Sequence, residues 1–154
     1  MQLGDFIDFD AINTRLSGGN KRSLLQQLAN LAGQRLGIDP AAILASLNER
    51  EQLGSTGFGQ GVAIPHGKIE GLNRIYAMFT RLAEPIDFKA IDGRPVDLVF
   101  LLLSPPDAGA EHLKALAAIS RVTRDAATLE RLRGARSRDA LAAVLMGADE
   151  REAT

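Results

Sequence analysis

The segment Val96–Ser104 is almost continuously apolar, and it restricts the possible folds of this chain more than any other stretch. A strand with one face in water alternates apolar and polar side chains, whereas an apolar run without that alternation is typical of a strand buried on both faces. The segment therefore predicts the centre of a sheet that is covered on both sides.

Hydrophobic periodicity predicts the elements around this strand. Further strands are predicted over Phe6–Ile12, Val62–Ile64 and Arg74–Leu82. Helices are predicted from Asn20 to Gly37, from Asp39-Pro40 to Glu51, over Gly109–Asp125, over Ala127–Arg133 and after Ser137. The helix over Gly109–Asp125 is expected to turn inward an apolar face made up of Leu113, Leu116, Ile119 and Val122. Helices, then strands, then helices predict an α/β fold, a single-domain sandwich in which helices flank a mixed β-sheet.

Composition excludes several classes of protein. Over 154 residues, 18 Lys and Arg face 19 Asp and Glu, so the formal net charge of −1 lacks the basic excess of nucleic-acid-binding proteins. The absence of cysteine excludes disulfides, cysteine-ligated zinc, iron–sulfur clusters and a catalytic thiol. The longest apolar run, Leu98–Leu103, is far shorter than the roughly 18 residues of a membrane span. Because Met1–Asp10 carries three acidic and no basic residues, no signal peptide is predicted, and we expect one cytoplasmic domain over residues 1–154 without membrane insertion.

The glycine-rich segment from Leu53 to Gly71 does not fit the known nucleotide-binding motifs. A dinucleotide loop follows a strand and opens a helix, but here a helix precedes Gly57–Gly61 and a strand ending at Pro65 follows. Gly67-Lys68 lacks the first glycine and the hydroxyl residue of a Walker loop. The zinc motif H-E-x-x-H and a nucleophile elbow are also absent from the sequence.

His66 is the best candidate for covalent chemistry. It follows the strand over Val62–Ile64, and its neighbours Pro65 and Gly67 predict an exposed turn at the strand end, where α/β folds place their sites. Neutral imidazole is a competent nucleophile near pH 7. The alternative interpretation is an ordinary turn histidine.

Two longer stretches resemble a known family. Arg50–Gly67 reads REQLGSTGFGQGVAIPHG and Phe88–Phe100 reads FKAIDGRPVDLVF, and His112-Leu113 also matches. The first stretch resembles the phosphohistidine signature of enzyme IIA (EIIA) domains of the phosphoenolpyruvate-dependent phosphotransferase system, fructose/mannitol class, and is most similar to the nitrogen-regulatory branch. Phe58 and Gln60 depart from the family pattern, in which a smaller aliphatic residue and Asn are usual at these positions.

The resemblance implies a phosphotransferase that carries a phosphoryl group on His66, received from a histidine phosphocarrier protein. It implies that Arg50 grips phosphate oxygens, for which the paired donors of a guanidinium are suited, and that His112 is a second active-site histidine. A helix dipole is expected to lower the pKa of His112, which would then hydrogen-bond His66 or donate to the phosphoryl group. Without the resemblance, Arg50 is a surface arginine at a helix end and His112 a polar residue at a helix N-terminus.

A phosphate-binding role is also expected for the residues that follow Arg50. Ser55 and Thr56 offer hydroxyl donors, and the backbone N–H groups of Gly57, Gly59 and Gly61 can form an anion-binding concavity. The alternative is that these glycines only form turns. Since these donors and Arg50 can neutralise charge, no metal and no cofactor is expected.

Two functions remain open at this point. A regulatory IIA protein of the nitrogen/potassium type controls partner proteins through its phosphorylation state, whereas a IIA component of sugar uptake passes the phosphoryl group to a separate IIB protein. Sugar systems of this class need a IIB domain, normally phosphorylated on cysteine, and a membrane IIC domain. The chain contains neither a cysteine nor a membrane-spanning run, which favours regulation. An inactive IIA-like domain is disfavoured by the presence of His66, Arg50 and His112.

Overall fold

The computed structural model describes residues 1–153, with side chains for residues 1–147. Two 3₁₀ turns, Leu3–Asp5 and Phe9–Ala11, precede the regular elements. The strands are β1 (Asn13–Leu16), β2 (Gly57–Gly59), β3 (Val62–Ala63), β4 (His66–Lys68), β5 (Tyr76–Ile86) and β6 (Val96–Ser104). The helices are α1 (Lys21–Leu36), α2 (Pro40–Gln52), α3 (Gly109–Thr123), α4 (Ala126–Gly134) and α5 (Arg138–Ala153).

Strand β6 is the centre of a mixed sheet of six strands. It pairs antiparallel with β5 on one edge and parallel with both β3 and β4 on the other. β1 lies parallel to β5, and β2 lies antiparallel to β3. Every residue of β6 except Asp97 is buried, which confirms the interpretation of its apolar run.

Helices cover both faces of this sheet. Helices α1 and α2 pack on one face of β6, through Leu24, Leu28, Ile43 and Leu47 against Val99, Leu101 and Leu103. Helices α3, α4 and α5 pack on the other face, through Ile119, Leu132, Leu141 and Leu145 against Leu98, Phe100 and Leu102. The α/β sandwich with a mixed sheet and flanking helices is therefore confirmed.

Helix α2 supplies the connection between the core and the site. The carboxylate of Asp39 accepts a hydrogen bond from the backbone N of Ala41 at 3.0 Å, and Pro40 occupies the first turn, as the sequence predicts. The helix packs against α1 and against β4. Its last turn, which ends at Gln52, brings Arg50 to the edge of the sheet.

The predicted strand over Phe6–Ile12 is wrong. Ile7 makes one isolated parallel bridge to β5, and the Asp8 carboxylate then accepts a hydrogen bond from the backbone N of Asp10 at 3.1 Å. This local bond stabilises a 3₁₀ turn in place of a strand. The first strand begins later, at Asn13.

The predicted inward face of α3 is also partly wrong. Ile119 and Val122 are buried as expected, but Leu113 is 66% exposed. His112, the preceding residue, takes the buried position in the first turn. The start of α3 thus presents a histidine to the protein interior and leaves an apolar side chain in solvent.

Candidate functional site

His66 is the first residue of β4 and pairs with Leu102 of β6. Its Nδ1 lies 2.8 Å from the carbonyl oxygen of Ile64. Because a carbonyl only accepts hydrogen bonds, Nδ1 carries the proton and the lone pair of the neutral ring is on Nε2. The residue is only 7% exposed, so the expectation of an exposed turn is wrong.

Gly67 is required for close packing and not for a turn. It belongs to β4 and pairs with Leu103. A Cβ at this position would overlap Oγ of Ser46 on α2 and lie 3.1 Å from Cβ of Ser46. The Ser46 hydroxyl also donates to the carbonyl of Lys68 at 3.0 Å. The missing side chain lets α2 lie directly against β4, which brings Arg50 within reach of His66.

Arg50 contacts the lone pair of His66. Its Nε donates to Nε2 of His66 at 3.2 Å, and its Nη1 donates to the carbonyl of Gly54 at 2.8 Å. Among the hydrogen bonds of the described residues, none uses Nη2 of Arg50. The guanidinium is therefore anchored on one side and leaves the Nε and Nη2 edge directed at the histidine.

His112 lies beside His66, with 5.4 Å between the ring centroids and 48° between the ring planes. Its Nδ1 is 2.6 Å from Oγ of Ser104, the last residue of β6. The described hydrogen bonds include none between the two rings, so the expected direct bond to His66 is replaced by the bond to Ser104. The two histidines share one cleft without being bonded to each other.

Both imidazoles have lowered pKa values, which favours their neutral form. Burial lowers the pKa of His66, and the positive charge of Arg50 lowers it further, whereas the hydrogen bond to Ile64 and the negative charge of Glu51 act in the opposite direction. Burial, followed by the charges of His66 and Lys68, lowers the pKa of His112 to about 4. The expected direction for His112 is thus right, but burial is the main cause and not the helix dipole.

These side chains open onto a cleft of about 350 Å³. It is lined by Ser46, Glu49, Arg50, Leu53, His66, Gly67, Lys68 and His112. Lys68 is not among the site residues predicted from the sequence. The signal for it is its spacing: Lys68 is two positions from His66, and alternate residues of a strand share a face. It is exposed, and no ion pair to it occurs among the described residues. It adds a second cation to the cleft.

The residues predicted to bind phosphate are not among those that line this cleft. The hydroxyl of Ser55 donates to the carbonyl of Phe88 at 3.0 Å and accepts from the backbone N of Gly57. Thr56 is fully buried, and its hydroxyl and backbone N both donate to the carboxylate of Glu51. A phosphate-binding role for Ser55, Thr56 and Gly57 stays a prediction, and these donors are occupied by partners within the protein.

Gly59 and Gly61 flank the turn between β2 and β3. The intervening backbone N of Gln60 donates to the Asp92 carboxylate at 2.9 Å, and the carbonyl of Gln60 accepts from Arg133 at 2.7 Å. Both glycines have positive φ, of +110° and +79°. The turn interpretation therefore accounts for them, and their phosphate-binding role likewise stays a prediction.

Two searches over the described residues gave negative results. No group of three or more His, Cys, Asp or Glu side chains is close enough there to hold a metal ion. None of the helices in this part of the chain combines the length and the hydrophobicity of a membrane span.

Comparison with known proteins identifies the family of this fold and site. The family described as "Phosphoenolpyruvate-dependent sugar phosphotransferase system, EIIA 2" matches residues 5–147. The chain belongs to this EIIA family. A nitrogen regulatory protein of Bradyrhizobium diazoefficiens is 47% identical over 145 residues, which cover 94% of this chain and 95% of that protein.

Other EIIA proteins are similar over most of their length. The crystal structure of the nitrogen regulatory protein IIA-Ntr from Neisseria meningitidis superimposes with a TM-score of 0.87 at 35% identity, covering 93% of this chain and 98% of that one. The fructose-specific EIIA component of Haloferax volcanii is 36% identical over 81% of this chain and 82% of that protein. The α/β sandwich described above is thus the fold of EIIA proteins.

We expect Gly67→Ala to destabilise this EIIA fold by about 1–3 kcal/mol, because the added methyl group overlaps Ser46 and forces α2 away from β4. Denaturant unfolding measures the change. Ser46→Ala is the matched variant: it removes the overlapping hydroxyl, so the double variant should lose less stability than the two single variants together. Additive losses would contradict the close contact as the cause.

The lowered pKa values predict that stability decreases in acid. Unfolded histidine titrates near pH 6.5, whereas folded His112 titrates near 4, so the unfolded chain binds more protons between these values. The free energy of unfolding then falls as the pH drops through this window. The contribution of His112 to stability is fully present above the window, and the fall levels off below it. Unfolding measured across the window should give a shallower slope for His112→Gln. An identical slope in that variant would contradict this assignment.

Proposed function

We propose that the protein is a phosphohistidine carrier. His66 accepts a phosphoryl group on Nε2 from a histidine phosphocarrier protein, and the phosphorylation state then controls the binding of regulatory partner proteins. Membership of the EIIA family supports phosphoryl transfer. The observation that carries the proposal is the orientation of one ring: Nδ1 of His66 is held by the Ile64 carbonyl, and Nε2 meets Arg50 in the cleft.

Such a transfer depends mainly on positioning and charge neutralisation. The Nε2 lone pair attacks the phosphorus of the donor's phosphohistidine and forms a P–N bond. The donor's P–N bond breaks, and its electron pair returns to the donor's ring. The Nδ1 proton stays on His66, where the Ile64 carbonyl stabilises the positive charge that the ring gains. The same steps in reverse release the group.

In this mechanism, Arg50 changes its hydrogen-bond acceptor from the Nε2 lone pair of His66 to the oxygens of the phosphoryl group. The bond from Nη1 to the Gly54 carbonyl keeps the guanidinium in place while Nε and Nη2 donate side by side. The same edge of a guanidinium grips a carboxylate twice elsewhere in the fold, from Arg35 to Asp8 and from Arg133 to Asp97. This geometry supports a two-bond grip on the phosphoryl group.

His112 and Lys68 supply the remaining contacts. In the tautomer in which the Ser104 hydroxyl donates to Nδ1 of His112, the other ring nitrogen carries a proton and can donate to the phosphoryl group. Because its pKa is about 4, His112 is a neutral donor. Lys68 adds positive charge at the exposed rim of the cleft.

The names of the relatives support a regulatory role for the proposed carrier. The Bradyrhizobium and Neisseria proteins are both named nitrogen regulatory proteins. The Haloferax relative is a fructose-specific component, so transfer to a separate IIB protein is the second candidate. Mixing the phosphorylated protein with purified IIB proteins of its own organism separates the two: a regulatory protein keeps its phosphate, and an uptake component loses it.

Incubation with phosphoenolpyruvate, enzyme I and the carrier protein should add one phosphate per chain. Since the P–N bond of phosphohistidine hydrolyses in acid, the phosphate should be labile in acid and stable in alkali, as mass spectrometry can follow. His66→Ala should take up none, whereas His112→Ala, which retains the nucleophile, should be phosphorylated more slowly. Phosphate on His66→Ala would reject the assignment.

Arg50→Lys keeps the charge but loses the paired donors. A charge-assisted hydrogen bond contributes about 1.5–3 kcal/mol, so the loss of one should slow transfer roughly tenfold to a hundredfold, and Arg50→Ala should be slower still. Stopped-flow transfer from phosphorylated carrier measures the rates, and thermal melts check folding. Arg138→Lys, on the exposed start of α5, is the matched control. Wild-type rates in folded Arg50→Lys would exclude the two-bond grip.

A further inference from the structure

The carboxylate of Glu51, next to Arg50 at the end of α2, is a fixed anchor. The side chain is only 7% exposed and pairs with Nζ of Lys21 at 2.9 Å. It accepts a hydrogen bond from the backbone N of Thr56 at 3.0 Å and another from the Thr56 hydroxyl. Lys21 Nζ also lies 4.4 Å from the centre of the buried Phe88 ring. The carboxylate therefore has partners on both of its oxygens.

A path of hydrogen bonds leads from this anchor to the nucleophile. The carbonyl of Thr56 accepts from the backbone N of Ile64 at 2.9 Å. The carbonyl of Ile64 in turn accepts from Nδ1 of His66 at 2.8 Å. A displacement of Thr56 would move the carbonyl group that fixes the tautomer of His66.

The loop that Glu51 closes also holds Arg50. This loop contains Gly54, whose φ of +145° is a conformation that side chains other than glycine rarely adopt. Its carbonyl accepts from Nη1 of Arg50 at 2.8 Å. Because Glu51 ties Thr56, beyond Gly54, back to α2, it limits the movement of the Gly54 carbonyl as well.

We infer that Glu51 is a positioning residue for phosphoryl transfer: its hydrogen bonds to Thr56 hold both the Nδ1–H tautomer of His66 and the guanidinium of Arg50. This inference rests on the proposed function. The ion pair with Lys21 offsets the negative charge of Glu51, which reduces the repulsion between the carboxylate and an incoming phosphoryl group.

Three substitutions separate the hydrogen bonds of Glu51 from its charge. Glu51→Ala removes both, and Glu51→Asp keeps the charge on a side chain one methylene too short to bond Thr56 from the same backbone. Glu51→Gln keeps an acceptor for the Thr56 N–H and loses the charge. Glu130→Gln, at an exposed position on α4, is the matched control.

The tautomer of His66 is the first readout. Nitrogen NMR of the ring, at a pH above both histidine pKa values, should show the Nδ1–H form alone in the wild type, in Glu51→Gln and in the control. Glu51→Ala and Glu51→Asp should show a mixture of the two tautomers. A merely structural role of Glu51 would alter the melting temperature without altering this ratio.

The rate of phosphoryl transfer is the second readout. At saturating phosphorylated carrier, Glu51→Ala and Glu51→Asp should be slowed about 10- to 100-fold, since small displacements of reacting groups have effects of this size. The half-saturating carrier concentration should stay unchanged, because neither the carboxylate nor Thr56 lines the cleft. Glu51→Gln should stay close to the wild type.

Two results would overturn the inference. One is a wild-type tautomer and rate in folded Glu51→Asp, which also answers the question if Glu51→Ala does not fold. The other is a Glu51→Gln variant with a mixed tautomer or a 10-fold slower transfer, since charge would then matter and not the bonds to Thr56. The tautomer measurement needs no phosphoryl donor, so a wild-type protein that takes up no phosphate would reject the proposed function and leave this test standing.

Discussion

The geometry of the site depends on the edge of β6 that pairs with β3 and β4. The carbonyl of Pro65 accepts from the backbone N of Leu102 at 3.0 Å, so the residue before His66 is bonded directly to the buried central strand of the sheet. The same strand ends at Ser104, which bonds His112. Both histidines are thus fixed by one strand, and such pre-organisation suits the proposed phosphoryl transfer, which depends on positioning. Arg50 joins them from α2, because Gly67 of β4 has no side chain and lets that helix approach closely.

Burial determines the electrostatics of the cleft. An imidazolium has no lone pair, and burial disfavours that form for both histidines. The positive charge of the cleft therefore resides on Arg50 and Lys68, whose side chains are hydrogen-bond donors. In the proposed carrier, the neutral ring of His66 supplies the nucleophile, His112 supplies a donor, and the two cations attract the anionic phosphoryl group. Placing charge and nucleophilicity on different residues would let such a carrier attract a phosphoryl group at a pH at which His66 can attack it.

The sequence predicted the elements whose signals are local. The bounds of β6 agree because turn residues at Pro95 and Pro105 limit its apolar run, and α2 agrees because the cap Asp39 acts on its own first turn. The errors come from contacts between distant parts of the chain. The alternation over Phe6–Ile12 is that of a strand, but Asp8 accepts a bond from Asp10 within its turn and is also held there by the distant Arg35 and Tyr76. Glycine at position 67 suggests a turn when only the neighbouring residues are considered. The structure shows instead that glycine is needed there because α2, which precedes it in the chain, packs directly against it. The predicted site residues divide in the same way. His66, Arg50 and His112 meet in one cleft, whereas the hydroxyls of Ser55 and Thr56 bond to Phe88 and Glu51, partners that the spacing of the sequence does not reveal.

The anchors of the site limit what the proposed phosphorylation can change. The bond to Ile64 fixes His66, the bond to Gly54 fixes one side of Arg50, and the bond to Ser104 fixes His112. In the proposed carrier, the backbone has little freedom to respond, so the difference between the two states is concentrated at the mouth of the cleft. There the phosphoryl group replaces a cationic surface by a balanced or negative one. Leu53, which is 83% exposed, lines the same opening. A partner that packs on Leu53 would meet the changed charge directly, and its affinity would differ between the states without any change in the fold.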